Sequence, residues 1–344
     1  MRIWIDIDNS PHVPFFTPLI AAWQARGDSV LITSRKYAQT RELLTNAGFP
    51  FTEVGEHAGA SKVKKVLNLI QRSLQLRSVI KTFKPDVAVS HGSRALSVTS
   101  KMIGLPNVLF FDYEWTEMSI FKRCATVLSC PEVLPSNVLQ QAHIPLQKII
   151  RYNGFKEELY LPSFVPDASF RSSLNIPDDK VFVTIRPSSM TSNYHDSRSE
   201  EILVQLIKRF VHQPQAIGLI TPRTEVDKQL AERVIEQEHI TNVRIATTAL
   251  PGMQLLYWSD LVVSGGGTMN REAALLGTPT VSMFTGKRPA IDEYLSSQGK
   301  LRFIESPAQV ADIPFTKHSH NPNYRYTNNG LVPQLMEIVD SVVG

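Results

Sequence analysis

The chain is predicted to be an α/β protein built of two Rossmann-like, doubly wound domains facing each other across a cleft. Three observations carry this expectation. Its 344 residues are too many for one ordinary core and suit two domains. Short apolar runs alternate with segments of helical period, as in βα units laid on a parallel sheet. That series breaks once, at a proline-bearing stretch near the middle, and then starts afresh.

In the first series Ile3–Ile7 is a strand, Phe15–Arg26 a helix ended by Gly27, and Ser29–Thr33 the second strand. Tyr37–Ala47 is a helix stopped by Gly48, and Phe51–Val54 a third strand. A long helix from about Ser61 to Phe83 leads into the strand Val87–Ser90, Ala95–Ile103 pairs with Asn107–Phe111, and the half closes near Ile149–Tyr152. The second series runs through Val181–Ile185, Glu200–Phe210, Ala216–Thr221, Val226–Gln237 and Val243–Ile245. Domains are therefore expected at 1–152 and 167–344, with 153–166 as the linker.

The second series ends in the most informative stretch, from Leu261 to Phe284. An apolar run breaks into Gly265-Gly266-Gly267, Thr268 follows, and a helical pattern runs to Gly277-Thr278-Pro279 before another apolar run. Glycines at the mouth of a helix let backbone N–H groups approach a ligand, and the open amides of the first turn favour an anion. A phosphate or pyrophosphate fits such a turn, while the plainer reading is a tight strand-to-helix connection. Gly-Lys-Ser/Thr is absent, which excludes a P-loop, and the dinucleotide spacing would require a glycine at Asn270.

Arg186 and Arg223 each follow a strand of the same half, so both guanidinium forks fall beside the glycine turn and suit phosphate. Ser264, which ends the strand, and Lys287 and Arg288, on a further loop that could close over the ligand, are further donor-binding candidates. In the first half, Asp8 and His12 stand between the first strand and helix, where an imidazole titrating near neutrality could take a proton from a hydroxyl. Asp8 is the alternative base. Capping by Asn9 or Ser10, with His12 a mere first-turn polar residue, is the plainer account. His91, Arg94, Asp112 and Glu114 fall at further strand ends and are the acceptor-side candidates.

A net charge of +4 and a pI near 9.0 suit an anionic ligand or a negative membrane surface, and no nucleic-acid motif is present. Asp6 and Asp8 interrupt what a signal peptide would keep apolar, and no run of about 18 apolar residues could span a bilayer. A cytoplasmic protein is expected. Cys124 and Cys130 match neither a metal-ligand spacing nor a disulfide framework. From Lys62 to Lys84 there are seven basic residues and no acid. Val63, Val66, Leu67, Ile70 and Leu74 recur there at helical spacing. This face either packs on the sheet or rests on anionic lipid, flanked by Lys64, Lys65, Arg72 and Arg77.

With two such halves and a Ser-Gly-Gly-Gly-Thr…Glu helix in the second, the chain resembles GT-B glycosyltransferases, which use nucleotide-sugars without an obligatory metal. Ala249–Phe284 is similar to the corresponding segment of the peptidoglycan N-acetylglucosaminyltransferase. Val89-Ser90-His91-Gly92-Ser93-Arg94 and Lys287-Arg288-Pro289 resemble segments of UDP-N-acetylglucosamine 2-epimerase. Over its whole length, with Trp4–Val13 and Tyr152-Asn153-Gly154-Phe155-Lys156-Glu157, the chain looks most like the domain-of-unknown-function family 354. The resemblance implies that a donor pyrophosphate rests on Gly265–Thr268 and that Glu272 accepts the ribose hydroxyls; the plainer role of Glu272 is a first-turn acid complementing the helix dipole. It also implies a metal-independent transferase that needs no cofactor and moves a sugar from a nucleotide-sugar, UDP-linked, to a glycan or lipid-linked acceptor in cell-surface polysaccharide synthesis, with a peripheral membrane contact. The alternatives are a non-hydrolysing epimerase and a non-catalytic nucleotide-sugar-binding protein. Ser93 stands where the epimerase has an aspartate and cannot replace its carboxylate, which counts against epimerisation.

Overall fold

A computed structural model of the chain describes residues 1–36, 39–56, 62–188, 197–327 and 330–343, with the backbone alone for 62–65 and 197. The chain divides into two compact units, Met1–Tyr160 with Asn328–Gly344, and Leu161–Thr327.

The first unit holds the strands β1 (Arg2–Ile7), β2 (Ser29–Lys36), β3 (Thr52–Glu56), β4 (Val87–His91), β5 (Asn107–Phe110), β6 (Val127–Pro131) and β7 (Ile149–Tyr152). They form one sheet in the order β3-β2-β1-β4-β5-β6-β7, every pairing parallel. Helices α1 (His12–Ala25), α2 (Thr40–Asn46), α3 (Lys62–Phe83), α4 (Arg94–Ile103), α5 (Phe121–Cys124) and α6 (Ser136–Gln141) connect them. Ile3, Trp4, Ile5 and Ile7 are fully buried, as central parallel strands covered on both faces require. Helix α4 shows how local chemistry sets an end. The Ser93 hydroxyl accepts the Leu96 N–H at 3.2 Å at its start, and Gly104, at φ 70°, closes it in the left-handed region.

The second unit repeats the plan with β8 (Val181–Arg186), β9 (Ala216–Ile220), β10 (Val243–Ile245), β11 (Leu261–Ser264), β12 (Thr280–Ser282) and β13 (Arg302–Phe303). Their order is β10-β9-β8-β11-β12-β13, again all parallel. Helices α7 (Phe170–Ser173), α8 (Ser197–Arg209), α9 (Glu225–Gln237), α10 (Gly252–Trp258), α11 (Gly267–Leu275) and α12 (Ala290–Ser297) complete it. The fold is therefore two Rossmann-like α/β domains, as the alternation predicts.

Two expectations are corrected. The second domain does not run to residue 344. Helix α13 (Leu331–Asp340) returns to the first unit, where Leu331, Leu335, Ile338 and Val339 join the core of Ile3, Phe16, Leu19 and Trp23. Arg26 Nη2 holds Asp340 Oδ1 at 3.0 Å, and the Asn153 N–H donates to Gln334 Oε1 at 3.0 Å. Part of the expected linker 153–166 likewise belongs to the first unit, which extends to Tyr160.

Helix α3 departs from the sheet-packing expectation. Val66, Leu67, Ile70 and Leu74 are 51 to 60% exposed, whereas Arg72, Ser73, Leu76 and Ile80 are buried. The side chains of Lys62, Val63, Lys64 and Lys65 lie outside the described residues. Among the described residues, no helix is long and apolar enough to cross a membrane.

Candidate active site

In each sheet the chain reverses its direction of winding at one point, β1/β4 in the first and β8/β11 in the second, and open α/β sheets receive ligands there, at the carboxyl ends of the strands. The candidate residues gather at both points.

In the second unit Arg186 ends β8 opposite Ser264 of β11, and the Gly265 N–H donates to the Arg186 carbonyl at 2.9 Å. The strand register itself brings the arginine to the glycine turn. A Cβ on Gly265 would stand 2.6 Å from Ser188 Cα, and one on Gly266 would overlap the end of the Arg223 guanidinium. The glycines are thus required by close approach of two neighbours. Ser264 is fully buried and its hydroxyl accepts the Gly266 N–H at 3.0 Å. The Ser264 side chain thus shapes the turn from within. Helix α11 begins at Gly267 with Gly266 as its cap and no side chain bonded to the first-turn amides, so Gly267, Thr268 and Met269 present N–H groups to an acceptor.

Arg186 Nη1 donates to the carbonyls of Thr221 (2.9 Å) and Pro222 (3.2 Å). Burial, with Arg223 close by, lowers its pKa to about 10. Burial lowers that of Arg223 as well, against the attraction of Asp227. The Asp227 carboxylate is occupied by the N–H groups of Arg223 and Thr224, at 3.2 and 3.0 Å. Two desolvated cations beside open amides make a site that gains from a bound anion. Glu272 stands beyond the first turn of α11, which contains no acid, so its role as a first-turn complement to the dipole does not hold. Lys287 is exposed, and Arg288 lies over the Phe303 ring at 4.2 Å and pairs with Glu305. Ser189, Met190 and Thr191 of the polar loop lie outside the described residues.

In the first unit His12 begins α1 and its ring lies 4.7 Å from that of His91, which ends β4. No side chain caps α1, since Asn9 Oδ1 takes the Ser10 N–H and Ser10 Oγ meets Thr40 Oγ1, so the capping account is set aside. His91 Nε2 lies 3.7 Å from Asp112 Oδ1, and Asp112 Oδ2 holds Lys156 Nζ at 2.7 Å. Lys156 Nζ lies 3.8 Å from Glu157 Oε1, and Glu114 is buried as well. Burial drives the His12 pKa well below its ordinary value, and neighbouring His91 and Lys156 add to this. His12 is therefore held as a neutral imidazole. Arg94 is not brought into this cluster. It starts α4, is half-exposed, pairs with Glu117 at 3.7 Å and lies over Phe121.

Asp8 belongs to a second web. Arg72, reaching down from α3, binds Asp6 Oδ1 at 2.8 Å and Asp8 Oδ1 at 2.9 Å, and its Nε donates to the Val54 carbonyl at 2.8 Å. Asp6, fully buried, also accepts Thr33 Oγ1 at 2.7 Å and Ser93 Oγ at 2.5 Å. Burial raises the Asp8 pKa and neighbouring Asp6 adds to the rise, while Arg72 opposes it. Asp8 is thus held by Arg72, apart from the cluster of His12 and His91.

Lys156 and Glu157 escape reading as site residues because their stretch has no periodicity and looks like linker; the neighbouring Tyr152-Asn153-Gly154 motif is their one signal. Arg72 is hidden by its surroundings, a basic helix in which a buried cation looks like any other.

The model of a protein family of unknown function (DUF354) matches residues 1–317. An uncharacterised protein of Methanocaldococcus jannaschii, MJ0665, is 26% identical over 308 residues, covering 88% of this chain and 87% of that protein. Among solved structures, UDP-GlcNAc 2-epimerase from Neisseria meningitidis bound to UDP-GlcNAc is similar with a TM-score of 0.77 at 15% identity, over 99% of this chain and 100% of the other. The glycotransferase of kitacinnamycin is similar with a TM-score of 0.65 at 14% identity, over 100% and 96%. At these identities the likeness is one of fold, the two-domain GT-B class.

Proposed function

Since the chain belongs to the family of unknown function DUF354, a GT-B-fold family, we propose that it is a metal-independent glycosyltransferase that moves a sugar from a nucleotide-sugar, UDP-linked, to a glycan or lipid-linked acceptor in cell-surface polysaccharide synthesis. One observation carries the reading: Arg186 and Arg223, desolvated and in no ion pair among the described residues, beside the uncapped amides of Gly267 and Thr268. Displacement at an anomeric carbon needs the charge of the leaving diphosphate neutralised, and fixed amides, a helix dipole and two guanidiniums supply that without a cation. Glu272 would accept the ribose hydroxyls. His12 would take the acceptor proton, with Asp112 and Lys156 fixing the charge around His91 beside it. A thermal-shift panel of UDP-, GDP-, CMP- and dTDP-sugars tests the donor, since a bound ligand raises apparent stability by mass action. A selective UDP-sugar shift is expected, and no shift from any of them would refute the site.

The second reading, a UDP-sugar epimerase, draws on the buried His91, Asp112, Glu114, Lys156 and Glu157, which offer several proton-handling groups in one place. Product analysis separates the two: a new glycosidic linkage or an isomerised nucleotide-sugar.

A further inference from the structure

Helix α3 buries a charge and exposes its hydrophobes. Its N-terminal half is held inward by Arg72, while Val66, Leu67, Ile70 and Leu74 face away, each more than half exposed. Four large aliphatic side chains on one helix face are a contiguous patch rather than the scattered apolar residues any surface carries. Spaced at four residues, Val66, Ile70 and Leu74 form a stripe that Arg77 and Lys81 continue at helical spacing, with Lys84 just past the helix end. All three cations are exposed, and none has an ion pair among the described residues. They rim a cavity of about 440 Å³ whose walls include Ile80, Ile103 and Leu105. The acid on that rim, Asp86, is already taken by Arg2 at 2.7 Å. Met102 and Ile103, 49 and 40% exposed, add apolar surface at the same end.

An apolar stripe running into unpaired cations matches the two layers of an anionic bilayer surface, an acyl boundary beneath phosphates. A second copy of the chain would set this acid-free helix against the same cations. We propose that this face docks the protein on an anionic phospholipid bilayer, with Val66, Leu67, Ile70 and Leu74 in the headgroup–acyl boundary and Arg77, Lys81 and Lys84 on lipid phosphates at the cavity. This deepens the lipid-linked reading of the acceptor, on which it rests for its purpose alone.

The test is flotation of the full chain with phosphatidylcholine vesicles, with and without phosphatidylglycerol, and with no nucleotide-sugar present. The protein should float with the anionic vesicles alone, and less so as salt shortens the Debye length. In the variant R77Q/K81Q/K84Q each lost charge should weaken binding roughly five-fold, about a hundred-fold together. The pair I70S/L74S should weaken it independently of salt, and circular dichroism checks that both variants fold. Failure of the wild type to float with anionic vesicles at low salt would overturn the proposal. So would a dimer in sedimentation that Leu67→Asp dissolves, since the face would then join two copies. Flotation without any UDP-sugar thermal shift would sink the transferase reading and leave the membrane face standing; a shift without flotation would do the reverse.

Discussion

At the winding reversal of the second sheet the strand ends carry backbone amides and the cations Arg186 and Arg223; at the same point of the first they carry His12, His91 and a web of buried carboxylates. The two sheets share topology to the extent that six strands of each follow one order, 3-2-1-4-5-6. What differs is which residues follow the strands. A parallel sheet supplies a position and the loop sequence supplies the chemistry. One end suits holding an anion with fixed positive charge, and the other suits moving a proton between titratable groups.

The largest effect should come from breaking the carboxylate web. Arg72→Ala leaves Asp6 and Asp8 buried side by side without their cation, and removing one partner of a buried pair costs on the order of 3–5 kcal/mol. Urea denaturation should show that loss, and a UDP-sugar thermal shift should persist wherever the protein remains folded. A cost below about 1 kcal/mol, the level of an exposed pair, would mean the web is solvated.

The glycine turn offers a smaller and sharper contrast. Gly265→Ala presses on Ser188 backbone, which cannot yield, and overpacking of that kind costs about 1–3 kcal/mol of stability. Gly266→Ala meets the end of a movable arginine. It should fold normally and lose roughly ten-fold in UDP-sugar affinity, the scale of one hydrogen bond to a charged group. Calorimetric titration beside a melting curve separates them. Equal losses of stability in both would show that Arg223 is locked in place, and its role as an anion ligand would fall.

Acid titration addresses the first unit. Because the folded state holds His12 neutral, the unfolded chain binds the proton first as pH drops below about 6.5. The His12 contribution is therefore present above that pH and is lost as pH falls toward the depressed folded value, by up to about 1.4 kcal/mol per pH unit. Asp8, whose pKa is raised, works in the opposite sense closer to its own range above 3.8. Replacing His12 with Gln should flatten the stability profile between about pH 5 and 6.5. An unchanged profile would mean that His12 titrates freely.

Much of this was legible in the residues. Periodicity located β1, β4, β8 and β11, and the stretch from Leu261 to Phe284 announced its strand, turn and helix because three glycines between apolar runs leave few other conformations. Strands β6 and β13 escaped, the first a five-residue run ending in Pro131 and the second two residues long. Helix α13 escaped as well, and nothing local says that it crosses back to the first unit. The same holds at the site. Strand-end position found His12, His91, Asp112, Arg186 and Arg223, whereas Lys156 and Arg72 matter through contacts 44 and 66 residues away in sequence, to Asp112 and Asp6.

The smallest expected effect is none at all, on chelation. Asp6 and Asp8 have the carboxylate–x–carboxylate spacing of a metal-binding pair, and alternation does turn both toward one side of β1. The cation they share is the Arg72 guanidinium, at 2.8 and 2.9 Å, and a divalent ion would have to displace it from a buried, multiply bonded seat. Among the described residues no group of three His, Cys, Asp or Glu could hold a metal ion. At the other reversal point the charged side chains at the glycine turn are already positive. Turnover should therefore be the same with EDTA as without it. Complete loss, restored by Mg²⁺ or Mn²⁺ alone, would show that the amides and arginines of the second unit do not suffice for the leaving group, and the division of labour between the two sheets would have to be redrawn.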